Sequence, residues 1–259
     1  MKELRDLTVR SVHHPLAGYV FLRLTDDRPL PDCQPGQFVE VRVDGSSSTF
    51  LRRPISINYF DRAANEMWLL IHEVGAGTRA LSRLMKGDKL NCLFPLGHGF
   101  SLPAAQAPDA APLRYLLIGG GVGIAPLLYY GSALQSLGCE VTFLLGGRSA
   151  ADVLQRDLFS NFGRICCTTE DGTLGTKGFV TNHEVLAEPF DAIATCGPKP
   201  MMKAVVAFAR EHGTPCEASL ENMMACGLGA CLCCVEKTVR GNLCVCKEGP
   251  VFRSEDLAW

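Results

Sequence analysis

Residues 113–126 read Leu-Arg-Tyr-Leu-Leu-Ile-Gly-Gly-Gly-Val-Gly-Ile-Ala-Pro, a strand that runs into a glycine turn and opens a helix. The apolar run from Leu113 to Gly119 has the length of a strand covered on both faces. A helix-like pattern then continues to about Leu137, and a second buried strand follows from Glu140 to Leu145. Strand, helix and strand in that order imply a parallel sheet, so this stretch is an α/β unit. Gly121 and Gly123 let a phosphate or ribose approach the backbone closely. Pro126 suits the first helical turn because its missing N–H has no intrahelical partner there. Pro126 also stands where the third glycine of the G-x-G-x-x-G pattern would fall, so this is a dinucleotide site of a different kind from the Rossmann fingerprint.

A second junction of the same sort is Thr195-Cys196-Gly197-Pro198-Lys199-Pro200-Met201-Met202, which joins the apolar strand Phe190 to Ala194 to a helix. Two such junctions put backbone donors at the carboxyl edge of one sheet, where α/β proteins bind ligands. The competing reading is that both glycine groups only make tight turns. Met201, Met202 and Val205 read as helix core, and Cys196 reads equally as a nicotinamide neighbour or as a small buried thiol at a strand end.

The first hundred residues have another texture. Tyr19 to Leu24, Phe38 to Val43 and Met67 to His72 alternate apolar and polar positions, and Asp44-Gly45 and Lys86-Gly87-Asp88 punctuate them. This is the pattern of antiparallel strands closing into a barrel or sandwich. Within it, Arg52-Arg53-Pro54-Ile55-Ser56-Ile57 presents a cation and a hydroxyl along an extended strand whose proline restricts φ. Taken alone, it reads as well as an edge strand with exposed arginines. Ile71-His72-Glu73-Val74-Gly75-Ala76-Gly77-Thr78 ends a strand in glycines, and Thr78 is positioned to cap a short helix whose free N–H groups could meet a diphosphate. A plain strand-to-helix turn would look the same. The proline- and alanine-rich stretch Pro103 to Pro112 is the expected linker. The expected division is 1–102, 103–215 and 216–259.

Thirteen cysteines are present, and six of them lie between residues 226 and 246. Cys226-Gly-Leu-Gly-Ala-Cys231-Leu-Cys-Cys234 has the C-x4-C-x2-C register of a plant-type 2Fe-2S cluster, with Gly227 and Gly229 allowing the backbone to wrap. Zinc usually takes paired C-x2-C hooks, and only one hook is present here. A disulfide framework belongs to small exported domains without a core, and this chain of 259 residues, 47% of them hydrophobic, is neither small nor preceded by an apolar signal region. Its net charge of −2 provides no overall basic field for nucleic acid or an anionic membrane. The apolar stretch Leu116 to Tyr130 is too short for a membrane span and is broken by glycines and Pro126. A cytoplasmic protein with small-molecule or protein partners is expected.

The order R-P-x-S, G-T before a helix, G-G-G-x-G-x-x-P, C-G-P and C-x4-C-x2-C resembles the ferredoxin-NADP reductase superfamily over essentially the whole chain. The terminal cysteine segment, with Val245-Cys246-Lys247-Glu248-Gly249-Pro250-Val251-Phe252, is similar to the electron-transfer subunits of NAD-linked, class 1B dihydroorotate dehydrogenases. The resemblance implies a multidomain α+β fold: an N-terminal antiparallel β-barrel for FAD, a central parallel-sheet α/β domain for NAD, and a C-terminal 2Fe-2S domain. By the same resemblance Arg53, Pro54, Ile55 and Ser56 would hold the flavin, Leu70, Ile71 and His72 would line it with backbone groups, and Gly77 with Thr78 would meet its diphosphate. Gly121, Gly123, Cys196 and Gly197 would serve the nicotinamide nucleotide.

Cys226, Cys231, Cys234 and Cys246 would ligate the cluster. Register separates Cys234 from Cys233, whereas Cys246 is chosen over Cys244 only by the C-x-[DE]-G-P-V-F context of the family. Electrons would pass from the FMN of a separate catalytic subunit through the cluster and FAD to NAD, in pyrimidine biosynthesis, within a heterotetramer of two copies of each chain. No catalytic residue is assigned. Glu217, Glu221 and Asn222 either tune the flavin or are simply solvated. NAD is implied over NADP by the family, with Arg148 a candidate for a 2′-phosphate. Competing readings are a flavin and iron-sulfur subunit of a hydrogenase or ferredoxin-linked transhydrogenase, and a zinc-stapled binding protein without a redox role.

Overall fold

The structure, a computed structural model, describes residues 2–104 and 111–259. Most of the expected linker, residues 105–110, lies outside the described residues. The alternating N-terminal segments form six strands: β1 (Glu3–His13), β2 (Tyr19–Thr25), β3 (Phe38–Val41), β4 (Arg53–Asp61), β5 (Glu66–His72) and β6 (Lys89–Leu96). They close into an antiparallel barrel in the order β1-β2-β5-β4-β3-β6. Alternation decides which side chains go inside. On β3, Val39 and Val41 join the barrel core, while Phe38 packs outward into the core shared with the rest of the chain. A short helix, α1 (Ala76–Leu81), follows β5.

Thr78 does not cap this helix in the way expected. The helix begins at Ala76 with Gly75 as its N-cap, and Thr78 is its third residue. The Thr78 hydroxyl accepts from the Gly75 N–H at 3.1 Å and donates to the Gly75 carbonyl at 3.2 Å, closing the first turn from within.

The second half is built on a seven-stranded sheet. In chain order the elements are β7 (Arg114–Gly120), α2 (Ala125–Ser136), β8 (Glu140–Gly147), α3 (Arg156–Phe159), β9 (Arg164–Thr169), β10 (Thr176–Lys177), β11 (Ala192–Cys196), α4 (Lys199–Glu211) and β12 (Cys216–Ser219), then β13 (Val235–Thr238), β14 (Gly241–Cys244), α5 (Val245–Glu248) and β15 (Val251–Arg253). The sheet order is β10-β9-β8-β7-β11-β12-β15, parallel except for β15, which runs antiparallel to β12. From β7 the chain steps outward through β8, β9 and β10, then crosses back to place β11 on the other side of β7. The switch point of the sheet therefore lies between β7 and β11, where Gly119 pairs with Cys196.

The last forty or so residues, which show little regular pattern as sequence, contain a β13–β14 hairpin, and β12 and β15 extend the sheet. Strands of three or four residues are too short to display a period. Cys234, Cys246 and Phe252 pack in one core with Leu116 and Ile118 of the sheet and Phe38 of the barrel. The cysteine segment is thus wedged between barrel and sheet.

The barrel is also tied directly to α2. The buried Asn58 amide donates to the Ala125 carbonyl at 2.9 Å and exchanges two 3.0 Å hydrogen bonds with Gln155. Among the described residues no helix is long and apolar enough to cross a membrane.

Candidate functional site

Three groups of residues meet around the switch point. The first lies where two barrel strands part. β4 pairs with β5 from Asp61–Glu66 as far as Ile57–Leu69, and beyond that Arg53 to Ser56 pair only with β3. Leu70, Ile71 and His72 therefore present an unpaired backbone edge toward the Arg53–Ser56 segment. The Leu70 and Ile71 side chains are buried in two different cores, so a ligand in the gap would meet backbone there rather than these side chains. Gly77 closes this gap from α1. A Cβ there would come within 2.9 Å of the Arg53 Nε and 3.1 Å of Thr49 Cγ2, so glycine lets the guanidinium lie flat against the helix. The His72 ring stacks on Tyr19 at 4.4 Å between centroids, and both rings line the neighbouring cleft.

The second group forms that cleft, a cavity of about 670 Å3 at the carboxyl edge of the sheet. Gly121, Gly123 and Gly197 line it, as the motifs predict, with Arg148, Asp152, Glu170, Met201 and Glu221. The two glycine turns touch. A Cβ on Gly123 would stand 2.4 Å from the Gly197 Cα and 2.6 Å from the Cys196 carbonyl oxygen. Cys196 itself is fully buried and does not line the cleft, and burial, with Glu221 nearby, holds its thiol well above the usual range. Met202 and Val205 are core residues as expected. Met201 is half-buried against the same core and also lies over Gly120 and Gly197 at the cleft. Its helix starts at the cleft rim, which the 3.6-residue period does not show.

The acidic residues ahead of the cysteine loop also resolve. Glu217 accepts from the Ser101 N–H at 2.9 Å and hydroxyl at 2.6 Å, which joins the barrel exit to the sheet. Glu221 opens into the cleft with protein crowded around it, and that desolvation raises its carboxyl. Asn222 donates to Glu236 at 3.1 Å. Sequence reasoning missed Glu236, a buried carboxylate that also accepts from Lys199 Nζ at 3.0 and 3.2 Å and from Trp259 Nε1 at 3.1 Å. It fastens the β13–β14 hairpin to the start of α4 and to the C-terminal Trp259. Its only sequence signal is a glutamate on a short amphipathic strand. Glu236→Ala should cost about 1–3 kcal/mol in chemical unfolding, because two half-buried donors and the more exposed Lys199 ammonium lose their acceptor. A loss under ~0.5 kcal/mol would show that water replaces it freely.

The third group is the cysteine loop. Gly227 and Gly229 have φ of 66° and 82°, the left-handed conformation that their identity permits, and Leu232 is held at 57° as well. The Cys226 sulfur accepts from the Leu228 N–H at 3.4 Å, Cys234 from the Cys246 N–H at 3.3 Å, and Cys246 from the Gly229 N–H at 3.1 Å. Backbone hydrogen bonds thus tie Cys234 to Cys246 and bring the turn at Gly229 against the Cys246 sulfur. Burial would raise the Cys226 thiol, but the N–H groups of Leu228, Cys231 and Ala230 outweigh it and pull the group down to about 6. Burial and the adjacent Cys234 push Cys246 up to about 12.

Among the described residues no three His, Cys, Asp or Glu side chains converge as ligands of a single ion. Cys233 is exposed. Cys244 lies near these thiols, but its sulfur reaches only the Gly229 carbonyl, at 4.0 Å.

A family model described as the iron-sulfur cluster binding domain of dihydroorotate dehydrogenase B matches residues 221–258. The electron transfer subunit of dihydroorotate dehydrogenase B (NAD(+)) from Listeria monocytogenes serotype 4a is 39% identical over 247 residues, 94% of each chain. Its counterpart from Shouchella clausii is 41% identical over 226 residues, 85% of this chain and 84% of the relative. Among solved structures, that of an NADH-dependent reduced ferredoxin-NADP oxidoreductase superimposes with a TM-score of 0.86 at 27% identity, covering 98% of this chain and 90% of the other.

Proposed function

The chain belongs to the family of electron transfer subunits of dihydroorotate dehydrogenase B, and from that premise we propose that it carries electrons from a dihydroorotate-oxidising catalytic subunit to NAD, in pyrimidine biosynthesis, through a 2Fe-2S cluster and FAD. The observation that carries this reading is the packing of the cysteine segment between the barrel and the sheet, in one core with Phe38 of β3 and Leu116 and Ile118 of β7.

The residues fit the groups they would hold. Cys226, Cys231, Cys234 and Cys246 would ligate the cluster, in a loop whose N–H groups already point at sulfur. Arg53, Pro54, Ile55 and Ser56 on one side, the backbone of Leu70, Ile71 and His72 on the other, and Gly77 with Thr78 at the end would hold FAD. Gly121, Gly123 and Gly197 would admit the nicotinamide nucleotide, with Cys196 supporting the turn from beneath. When bound, the flavin exchanges a hydride with nicotinamide and single electrons with the cluster, which neither of those can do for the other. The protein supplies separation and orientation: the Gly123–Gly197 contact shapes the nucleotide turn, and the Tyr19–His72 stack walls the cleft.

Carboxylates Asp152 and Glu170 share the cleft with Arg148, so a 2′-phosphate meets charge of its own sign and NAD is preferred. The division 1–102, 103–215 and 216–259 follows the three cofactors, although the last segment lends two strands to the second segment's sheet. Thirteen free cysteines suit a reducing, cytoplasmic setting. The catalytic partner, carrying FMN and paired two-to-two with this chain, would dock over the cysteine loop. There Leu228, Leu232 and Met223 are exposed, Met223 to 82%.

The test is to co-express the chain with a dihydroorotate-oxidising flavoprotein, isolate the complex and measure NAD and NADP reduction by dihydroorotate. A stable complex with NAD favoured at least tenfold is expected. A colourless protein containing zinc and no acid-labile sulfide would sink the reading. Turnover with a hydrogenase or ferredoxin partner alone would move it to the second reading, which the ferredoxin-NADP oxidoreductase fold match favours.

A further inference from the structure

Glu40 is the one carboxylate of the barrel that is fully buried, and among the described residues neither of its oxygens has a hydrogen-bond partner. Its place explains why it is covered. On β3 it alternates with the inward Val39 and Val41, so it points out of the barrel, and it stands opposite Pro54 of β4 in the register that sets Phe38 opposite Ser56. Above it lies Gly227, the residue after Cys226. A Cβ on Gly227 would stand 2.7 Å from the Glu40 Cγ and 3.3 Å from its Oε1. The carboxyl therefore sits under the cysteine loop, on the same barrel face as the Pro54–Ser56 segment.

Charge around this group is arranged unevenly. Arg52 is the nearest cation, but its guanidinium is spent on the Glu40 and Asn91 carbonyls and on the Asn91 side chain, so it attracts the carboxylate without bonding it. Arg53 attracts it more weakly. A buried carboxylate with no bonded cation costs several kcal/mol and is rarely kept without a use. Iron-sulfur potentials respond to net charge, to hydrogen bonds on sulfur and to solvent exposure. The loop supplies N–H donors to sulfur, which favour the reduced cluster. A negative charge beneath it works in the opposite sense.

We propose that the Glu40 carboxylate sets the reduction potential of the iron-sulfur centre, acting from beneath the cysteine loop to hold it lower than the loop alone would. Glu40 is thus a potential-setting residue, with no contact to substrate. This rests on the reading that the cysteine loop carries a cluster.

The experiment is a redox titration of the purified complex followed by the EPR signal of the reduced cluster, at pH 8.5, for the native chain, Glu40→Gln and Glu40→Met. Gln keeps the shape pressed against Gly227 and removes the charge. Met removes charge and polarity at similar volume. Both neutral variants should be about tenfold more reduced at a given applied potential, a rise of about 59 mV for a one-electron centre. A change below ~2-fold in variants with full iron and sulfide would overturn the proposal. So would loss of the cluster from both, since the side chain would then merely brace the loop. Absence of iron and sulfide from the native protein would defeat the cluster reading itself, a result distinct from either.

Discussion

Serine at Cys226, Cys231, Cys234 or Cys246 is expected to abolish the cluster, leaving iron and acid-labile sulfide near zero and no EPR signal on reduction, while the flavin stays bound. The physical basis is the build of the loop, whose N–H groups are aimed at three of the four sulfurs. A hydroxyl is a far poorer soft-metal ligand than a thiolate, and removing one of four ligands leaves an iron open to water. The flavin should survive because its expected site, between β4 and β5 and beside α1, belongs to the barrel, whose core is separate from the loop.

Cys233→Ser and Cys244→Ser should keep iron and sulfide near the native content. The Cys244 comparison is the sharper one, since that sulfur lies near the other thiols but is directed at the Gly229 carbonyl. Full cluster content in Cys246→Ser together with loss in Cys244→Ser would reverse the choice of fourth ligand.

Gly123→Ala should be the most damaging single methyl group in the nucleotide cleft. Its Cβ would meet backbone at 2.4 to 2.6 Å, at the Gly197 Cα and N and the Cys196 carbonyl, and backbone cannot swing away as a flexible side chain can. Overpacking of this kind costs about 1–3 kcal/mol, and the relief available is to push apart the two turns that shape the cleft. The expected result is a lowered unfolding midpoint and flavin reduction by NADH slowed by at least ~10-fold, with the absorbance of flavin and cluster intact. Gly138→Ala is the control. Gly138 has φ of 83° with open space around it and lies outside the cleft lining, so alanine there meets strain of about 1–2 kcal/mol and no clash. If Gly123→Ala reduces flavin at the native rate, the contact between the turns does not shape the nucleotide site.

Much of this site was legible in order along the chain. The C-x4-C-x2-C register, the glycine turns after apolar strands and the R-P-x-S strand are local patterns, because each requires residues a few positions apart to share one turn or one strand. What was misread fails for a matching reason. Met201 looks like core by helical period, and it packs there only in part because its helix begins at the cleft. Thr78 looks like an N-cap, but Gly75 already starts the helix three residues earlier. The strands of the C-terminal segment are too short for any period, and they are strands because β12 gains a parallel neighbour in β11 and an antiparallel one in β15.

The sequence by itself determined the local patterns this protein carries: thiols at iron-sulfur spacing, glycine turns at the ends of apolar strands, and an arginine and hydroxyl along one strand. Those depend on covalent spacing and backbone freedom, which are local. Only the tertiary structure decided how the pieces meet. Crossing back from β10 to β11 set Gly123 against Gly197, pairing β3 with β4 turned Glu40 outward beside Pro54, and packing the cysteine segment between barrel and sheet laid Gly227 over that carboxylate. These are contacts between residues far apart in sequence, fixed by strand order and register, and no short motif encodes them.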